Sequence, residues 1–329
     1  MLNKGFFILL LGIFCCCTNQ GGSPKQNLSL DEALRRYPDS IALLQKRANR
    51  SLDSMNYDLL LQDAARAFRL DSSNNESRLL YALGLINKRE VGVADFTRAQ
   101  YHFFKVLNKD STNLKAMVGI AGVCANLGGN DAAFKWLNKA LRIDPKYRDA
   151  YVLKGSMYLR AGNYKFAKSS YETAIQQDNR FFLGYMILGG IYQHEQNSLC
   201  IEYFTTANQL EPNNVEACYS LAYAYENFNN VKEAKRFYRR MAKLDTASCV
   251  AYFHLASIQH FVDENLDSAM YWYGAALDLN PEHLESLHNL GLLYEDKNDR
   301  TNALSTYAKI LKINPDYTLT KDRVKALRK

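Results

Sequence analysis

After residue 17, no stretch of this sequence is apolar for long enough to cross a bilayer, which takes about 20 residues as a helix. It also lacks a His-Glu-x-x-His pattern, a Gly-x-Ser-x-Gly pattern and a glycine-rich phosphate loop. Those absences remove the sequence signatures of zinc-dependent hydrolysis, serine hydrolysis and nucleotide binding. No Cys-x-x-Cys links the four cysteines beyond the N-terminus, Cys124, Cys200, Cys218 and Cys249, so a redox or zinc site has no support. Spacing leaves open whether they pair or are simply small buried residues. There is no dense basic run: 41 Lys and Arg lie scattered among 34 acids, for a net charge of +7. Nucleic acid is therefore not an expected partner. The six histidines are His102, His194, His254, His260, His283 and His288. His254 and His260, six apart on one helix, do not share a face well and read as packed or solvated. No enzyme, cofactor, metal or small-molecule substrate is expected. The composition, 47% hydrophobic and 23% charged, is that of an ordinary globular protein.

The N-terminus opens with a short head carrying Lys4, then "GFFILLLGIF" without a polar side chain, then Cys15, Cys16 and Cys17. The apolar run is too short to span a bilayer and suits the centre of an export signal. A buried core helix is the alternative. The run resembles a bacterial lipoprotein signal, in which cleavage falls just before a cysteine that receives lipid. Cys17 has Phe14 and Cys16 before it, and Cys16 has Ile13 and Cys15, so both remain candidates for lipidation. The resemblance implies a signal at 1–17 and a membrane anchor of several acyl chains. The polar stretch at 18–27 reads as a flexible tether reaching about 18 Å as a coil. A lipid-anchored protein of the cell envelope, in the outer membrane and facing the periplasm, is the localisation this implies.

The rest of the chain is repetitive. "NLKAMVGIAGVCANLGGNDAAFKWLNKALRIDPKY" and "EHLESLHNLGLLYEDKNDRTNALSTYAKILKINPDY" share an order of helix, turn, helix and proline. Eight copies of a unit of about 34 residues run over 41–74, 77–113, 114–147, 148–181, 182–214, 215–248, 249–283 and 284–317. The eighth slot is always Gly or Ala: Ala48, Gly84, Ala121, Gly155, Gly189, Ala222, Ala256 and Gly291. Glycine inside a helix costs about 1 kcal/mol relative to Ala, so a close approach is expected at that slot. The twentieth slot, mostly Ala, reads as the opposite face of the same crossing. Four residues later comes a larger plug, such as Phe103, Tyr171, Phe204, Tyr238, Tyr273 or Tyr307. Pro145, Pro212, Pro281 and Pro315 end their second helices.

This pattern resembles the tetratricopeptide repeat. The resemblance implies an all-α fold, a right-handed α-solenoid (superhelix) of about eight helix-turn-helix repeats. A short helix and turn at 28–40, with a capping-box pattern at Ser29 and Glu32, precedes it. An amphipathic helix at 318–329 caps the other end.

In that family the first helices line a concave groove. Mapping the family's inward slots gives Leu183, Met186, Tyr219, Tyr223, Val250, Phe253, His260, Phe261 and His288 as candidate partner-binding residues. The lining is apolar and aromatic and suits a peptide segment, although packing between neighbouring helices is the alternative for many of these side chains. The paired Lys and Asn with which some members clamp a terminal carboxylate are replaced by Val118 and Gly122, Val152 and Ser156, and Met186 and Gly190. Five Asp-Ser or Asp-Thr pairs, at Ser40, Ser54, Ser111, Thr246 and Ser268, resemble O-glycosylation acceptors of Bacteroidetes envelope proteins. All five are expected in turns, which Asp-Ser and Asp-Thr also favour by themselves. The function implied is a scaffold or adaptor that holds protein partners, or peptide segments of them, near a membrane. The alternative is an assembly or pilot factor that delivers secreted or outer-membrane clients.

Overall fold

The structure, a computed structural model, describes residues 29–328. The lipidation candidates Cys16 and Cys17 and the ranges 1–17 and 18–27 lie outside the described residues. Among the described residues the chain is all-α, with eighteen helices and no strand. It divides into two compact units, the first closing at Lys109 and the second running from Asp110.

The first unit holds α1 (Leu30–Arg36), α2 (Ile41–Asp53), α3 (Tyr57–Leu70), α4 (Asn75–Asn87) and α5 (Val93–Lys109). Ser29 starts α1 with a capping box: its hydroxyl accepts from the Glu32 amide, and the Glu32 carboxylate accepts from the Ser29 amide at 2.8 Å. The two bonds satisfy two amides that the helix itself cannot. Leu34 then buries against Leu44 and Ala67. Arg47 joins three helices. It donates to both carboxylate oxygens of buried Asp63 on α3, at 2.7 and 2.8 Å, and to Asp31 on α1 at 2.8 Å. In α4, Gly84 faces α3 so closely that a β-carbon would lie 2.9 Å from the Leu61 Cα.

The second unit is six hairpins and a closing helix. They are α6 (Leu114–Asn126) with α7 (Asn130–Ile143), α8 (Arg148–Arg160) with α9 (Tyr164–Gln177), and α10 (Phe182–His194) with α11 (Leu199–Leu210). Then come α12 (Val215–Asn227) with α13 (Val231–Leu244), α14 (Val250–Phe261) with α15 (Leu266–Leu279), α16 (Leu284–Asp296) with α17 (Arg300–Ile313), and α18 (Thr318–Leu327). The hairpin turns repeat one device. A residue in the left-handed region closes the first helix: Gly128, Gly162, Gln196, Asn229, Glu264 or Asn298. In four of the turns the next residue, Asn163, Asn230, Asn265 or Asp299, then caps the second helix by accepting a backbone N–H.

The small eighth slot marks a close approach, as expected, and the aromatic plug makes the tightest contact there. A β-carbon on Gly155 would lie 2.8 Å from the Tyr171 ring, one on Gly189 would lie 2.5 Å from the Phe204 ring, and one on Gly291 would enter the Tyr307 ring. The nearest neighbour of each of these glycines is the plug four residues beyond the twentieth slot. The flat ring needs the space that a methyl group would take. Tyr171, Tyr238, Tyr273 and Tyr307 are among the largest fully buried side chains of the chain. Each such burial stabilises by about 1.5–3 kcal/mol.

Candidate functional site

The first helices of the last hairpins bring the expected aromatic residues together. On α12, Tyr219 and Tyr223 lie one turn apart, and their rings stack with centroids 5.9 Å apart and planes at 9°. Tyr219 is half-buried against the core of its hairpin, whereas Tyr223 is 37% exposed. On the next first helix, α14, Phe253 meets His254 and His283 edge-on, each at 5.3 Å. Phe261 stands 54% exposed at the end of that helix. Leu183 is exposed on α10, while Met186 and Val250 pack partly into the core.

Two candidates are engaged inside the fold. His260 is 4% exposed, and its Nε2 pairs with Asp296 at 2.8 Å, leaving Nδ1 without a partner among the described residues. It lies beneath the Phe261 ring, with centroids 4.1 Å apart. This corrects its expected place in an open lining. His288 hydrogen-bonds through Nδ1 to buried Thr320 on α18 at 3.0 Å and meets the rings of Tyr307 and Tyr317. Burial, with the nearby Arg323 charge, holds its imidazole below the usual value. His288 therefore docks the closing helix.

Beneath Tyr219 and Tyr223 lies a polar group that was not among the candidate residues. Glu226 on α12 accepts from the Tyr238 hydroxyl of α13 at 2.5 Å and pairs with His254 Nδ1 of α14 at 3.0 Å. Tyr238 and His254 stack face to face, with centroids 4.6 Å apart and planes at 7°. Burial pushes the Glu226 carboxyl up, but the hydrogen bonds from His254 and Tyr238 outweigh it and hold the carboxyl below its ordinary value. Burial and the adjacent Glu226 push the Tyr238 hydroxyl far up. An ionised carboxylate thus fixes three helices and the rings above them. Its sequence signal was Glu226 in the twelfth slot, one turn after Tyr223, but its partners come from two other helices.

His254 and His260 have separate partners, Glu226 and Asp296. Among the described residues, no three His, Cys, Asp or Glu side chains are placed to hold a metal ion. Cys124, Cys200, Cys218 and Cys249 are unpaired thiols, the last three buried. Four of the acceptor candidates lie at helix ends or turns: Ser40 before α2, Ser54 after it, and exposed Ser111 and Thr246. Ser268 does not. It sits in the first turn of α15, where its amide donates to the Asn265 cap, because the helix starts two residues earlier than the turn expected there.

The sequence model of the tetratricopeptide repeat matches residues 114–147, 149–181, 215–247 and 284–317. The chain carries tetratricopeptide repeats. These four matched segments include α12 and α16, and with them Tyr219, Tyr223, Glu226 and His288. Anaphase-promoting complex subunit 3 of Schizosaccharomyces pombe is 26% identical over 176 residues, 53% of this chain and 26% of that one. Tetratricopeptide repeat protein 6 of Homo sapiens is 31% identical over 120 residues, 36% of this chain and 23% of that one. The chain thus spans about a quarter of the length of these curated relatives. Among solved structures, the APC/C hetero-tetramer Cut9-Hcn1 aligns with a TM-score of 0.51 at 16% identity, covering 92% of this chain and 60% of that one. That likeness concerns the fold.

Proposed function

We propose that this protein is a lipid-anchored scaffold of the bacterial cell envelope, tethered through Cys17 or Cys16. The first-helix face of its repeats holds peptide segments of protein partners. One observation carries the reading: Tyr219, Tyr223, Phe253 and Phe261 lie on the first helices of consecutive hairpins, with Tyr223 and Phe261 still open to solvent. Exposed aromatic side chains on a rigid helical base are what a docked segment needs, because they offer area with little side-chain entropy to lose. Repeat proteins of this kind present such faces as extended binding surfaces.

The test is in-cell crosslinking of the tagged protein, affinity isolation and identification of partners by mass spectrometry. The substitutions to compare are Tyr223→Ala with Phe261→Ala, since both side chains are exposed and their loss spares the core. One or two dominant envelope partners, lost in the double variant with helicity unchanged, support the scaffold. Many unrelated exported proteins at low yield would replace it with the delivery role. Labelling of either cysteine by a radioactive fatty acid, abolished by its replacement with Ser, tests the anchor.

A further inference from the structure

The charges of the last four hairpins are unevenly placed. The first helices α10, α12, α14 and α16 contain no Lys or Arg. Two of them carry carboxylates: Glu216 and Glu226 on α12, and Glu285, Glu295 and Asp296 on α16. In these hairpins the helical cations sit on two second helices, six on α13 (Lys232, Lys235, Arg236, Arg239, Arg240 and Lys243) and three on α17, and α11 and α15 carry none; the earlier first helices α6 and α8 do bear Lys115, Arg148, Lys154 and Arg160.

Two of the five carboxylates are committed inside the fold. Glu295 is bound by Arg323 and by the Tyr307 hydroxyl, and Glu226 by His254 and Tyr238. Asp296 is 57% exposed although it pairs with His260, and Glu285 is 59% exposed beside His283. Glu216 is exposed and lies one helical turn from Tyr219 and two from Tyr223, on the same side of α12. The open aromatic residues of this face are therefore flanked by open acids, with no cation on the helices that bear them.

We infer that the segment docking on this face is cationic, with Lys or Arg interleaved with apolar residues; this rests on the peptide-binding reading above. Apolar side chains would meet Tyr223 and Phe261. Ammonium or guanidinium groups would lie near Glu216, Glu285 and Asp296 and over the tyrosine faces, where cation–π attraction adds to the carboxylate field. An acidic segment would meet like charge with nothing on these helices to neutralise it. That makes the face a filter as well as a surface.

The experiment measures fluorescence anisotropy of the purified protein with three short labelled peptides. One alternates Lys with Leu and Ser, and the other two replace Lys by Gln or by Glu. The Lys peptide is expected to bind at least about tenfold tighter than the Gln peptide, a difference of about 1.4 kcal/mol, and to weaken as salt is raised. Glu216→Gln with Glu285→Gln should abolish that advantage. Asp267→Asn with Asp278→Asn, on second helix α15, should leave it intact. Equal binding of the Lys and Gln peptides, lost on Tyr223→Ala with Phe261→Ala, would overturn the cationic partner while the groove stands. An advantage lost equally in the α15 variant would show a diffuse charge effect and also overturn it. Absence of any peptide binding, or binding indifferent to Tyr223 and Phe261, would overturn the groove reading and this inference together.

Discussion

Tyr171 lays its ring over Gly155 so closely that a β-carbon on residue 155 would stand 2.8 Å from its Cε2. The contact sets helix α8 against α9 at the distance of a ring's thickness. Gly155→Ala should therefore destabilise by about 1–3 kcal/mol, as overpacking does, even though alanine gains about 1 kcal/mol in helix propensity. Adding Tyr171→Leu should recover part of the loss. Urea denaturation of the two variants checks this, and a Gly155→Ala chain as stable as wild type would refute the ring contact.

Met55 and Glu264 hold left-handed backbone angles, with φ of 57° and 54°. A side chain strains that conformation by about 1–2 kcal/mol, which glycine avoids. Met55→Gly and Glu264→Gly should each raise stability by up to about 1 kcal/mol. In contrast, Gly162→Ala, at φ 71°, should lower it. Thermal melting of the three variants is the measurement.

Glu226 couples the rings of the candidate site to pH. Its folded value lies below the ordinary 4.5, so its contribution to stability is complete above 4.5 and is lost as pH falls through the lowered value. Tyr238→Phe removes a donor to the carboxylate and should cost about 1–2 kcal/mol at neutral pH. The carboxyl should then titrate closer to 4.5, so acid unfolding begins at higher pH than in wild type. Melting temperatures followed from neutral to strongly acid solution compare the two profiles.

In the first unit, Arg47 is the cation that Asp63 faces with 2% of its side chain exposed. Arg47→Met should cost about 3 kcal/mol, because it strands a buried carboxylate. Arg47→Met combined with Asp63→Leu should cost less than Arg47→Met alone. A double-mutant cycle in denaturant measures the coupling.

Repetition makes the helices legible in the residue order itself. Gly155, Gly189 and Gly291 recur at one slot with an aromatic residue sixteen or fifteen places later, and that spacing alone requires a close crossing. The aromatic residues of α12 and α14 are likewise readable, because residues three or four apart share one side of a helix. What spacing cannot carry is the partner of each side chain. His260 belongs with Asp296 and His288 with Thr320, thirty-six and thirty-two residues away, and Glu226 with groups from two further helices.

The repeat period, the small slot and the aromatic plug are local properties, fixed by helical pitch and side-chain volume, and the sequence by itself determined them. Tertiary structure alone decided that the plug makes the tightest contact with the glycine, that two expected lining histidines are packing groups, and that Tyr219 and Tyr223 rest on an ionised carboxylate. Those outcomes depend on how rings and hydrogen bonds settle within and between stacked hairpins, and for His260 with Asp296, His288 with Thr320 and Glu226 with His254 no single repeat contains both partners.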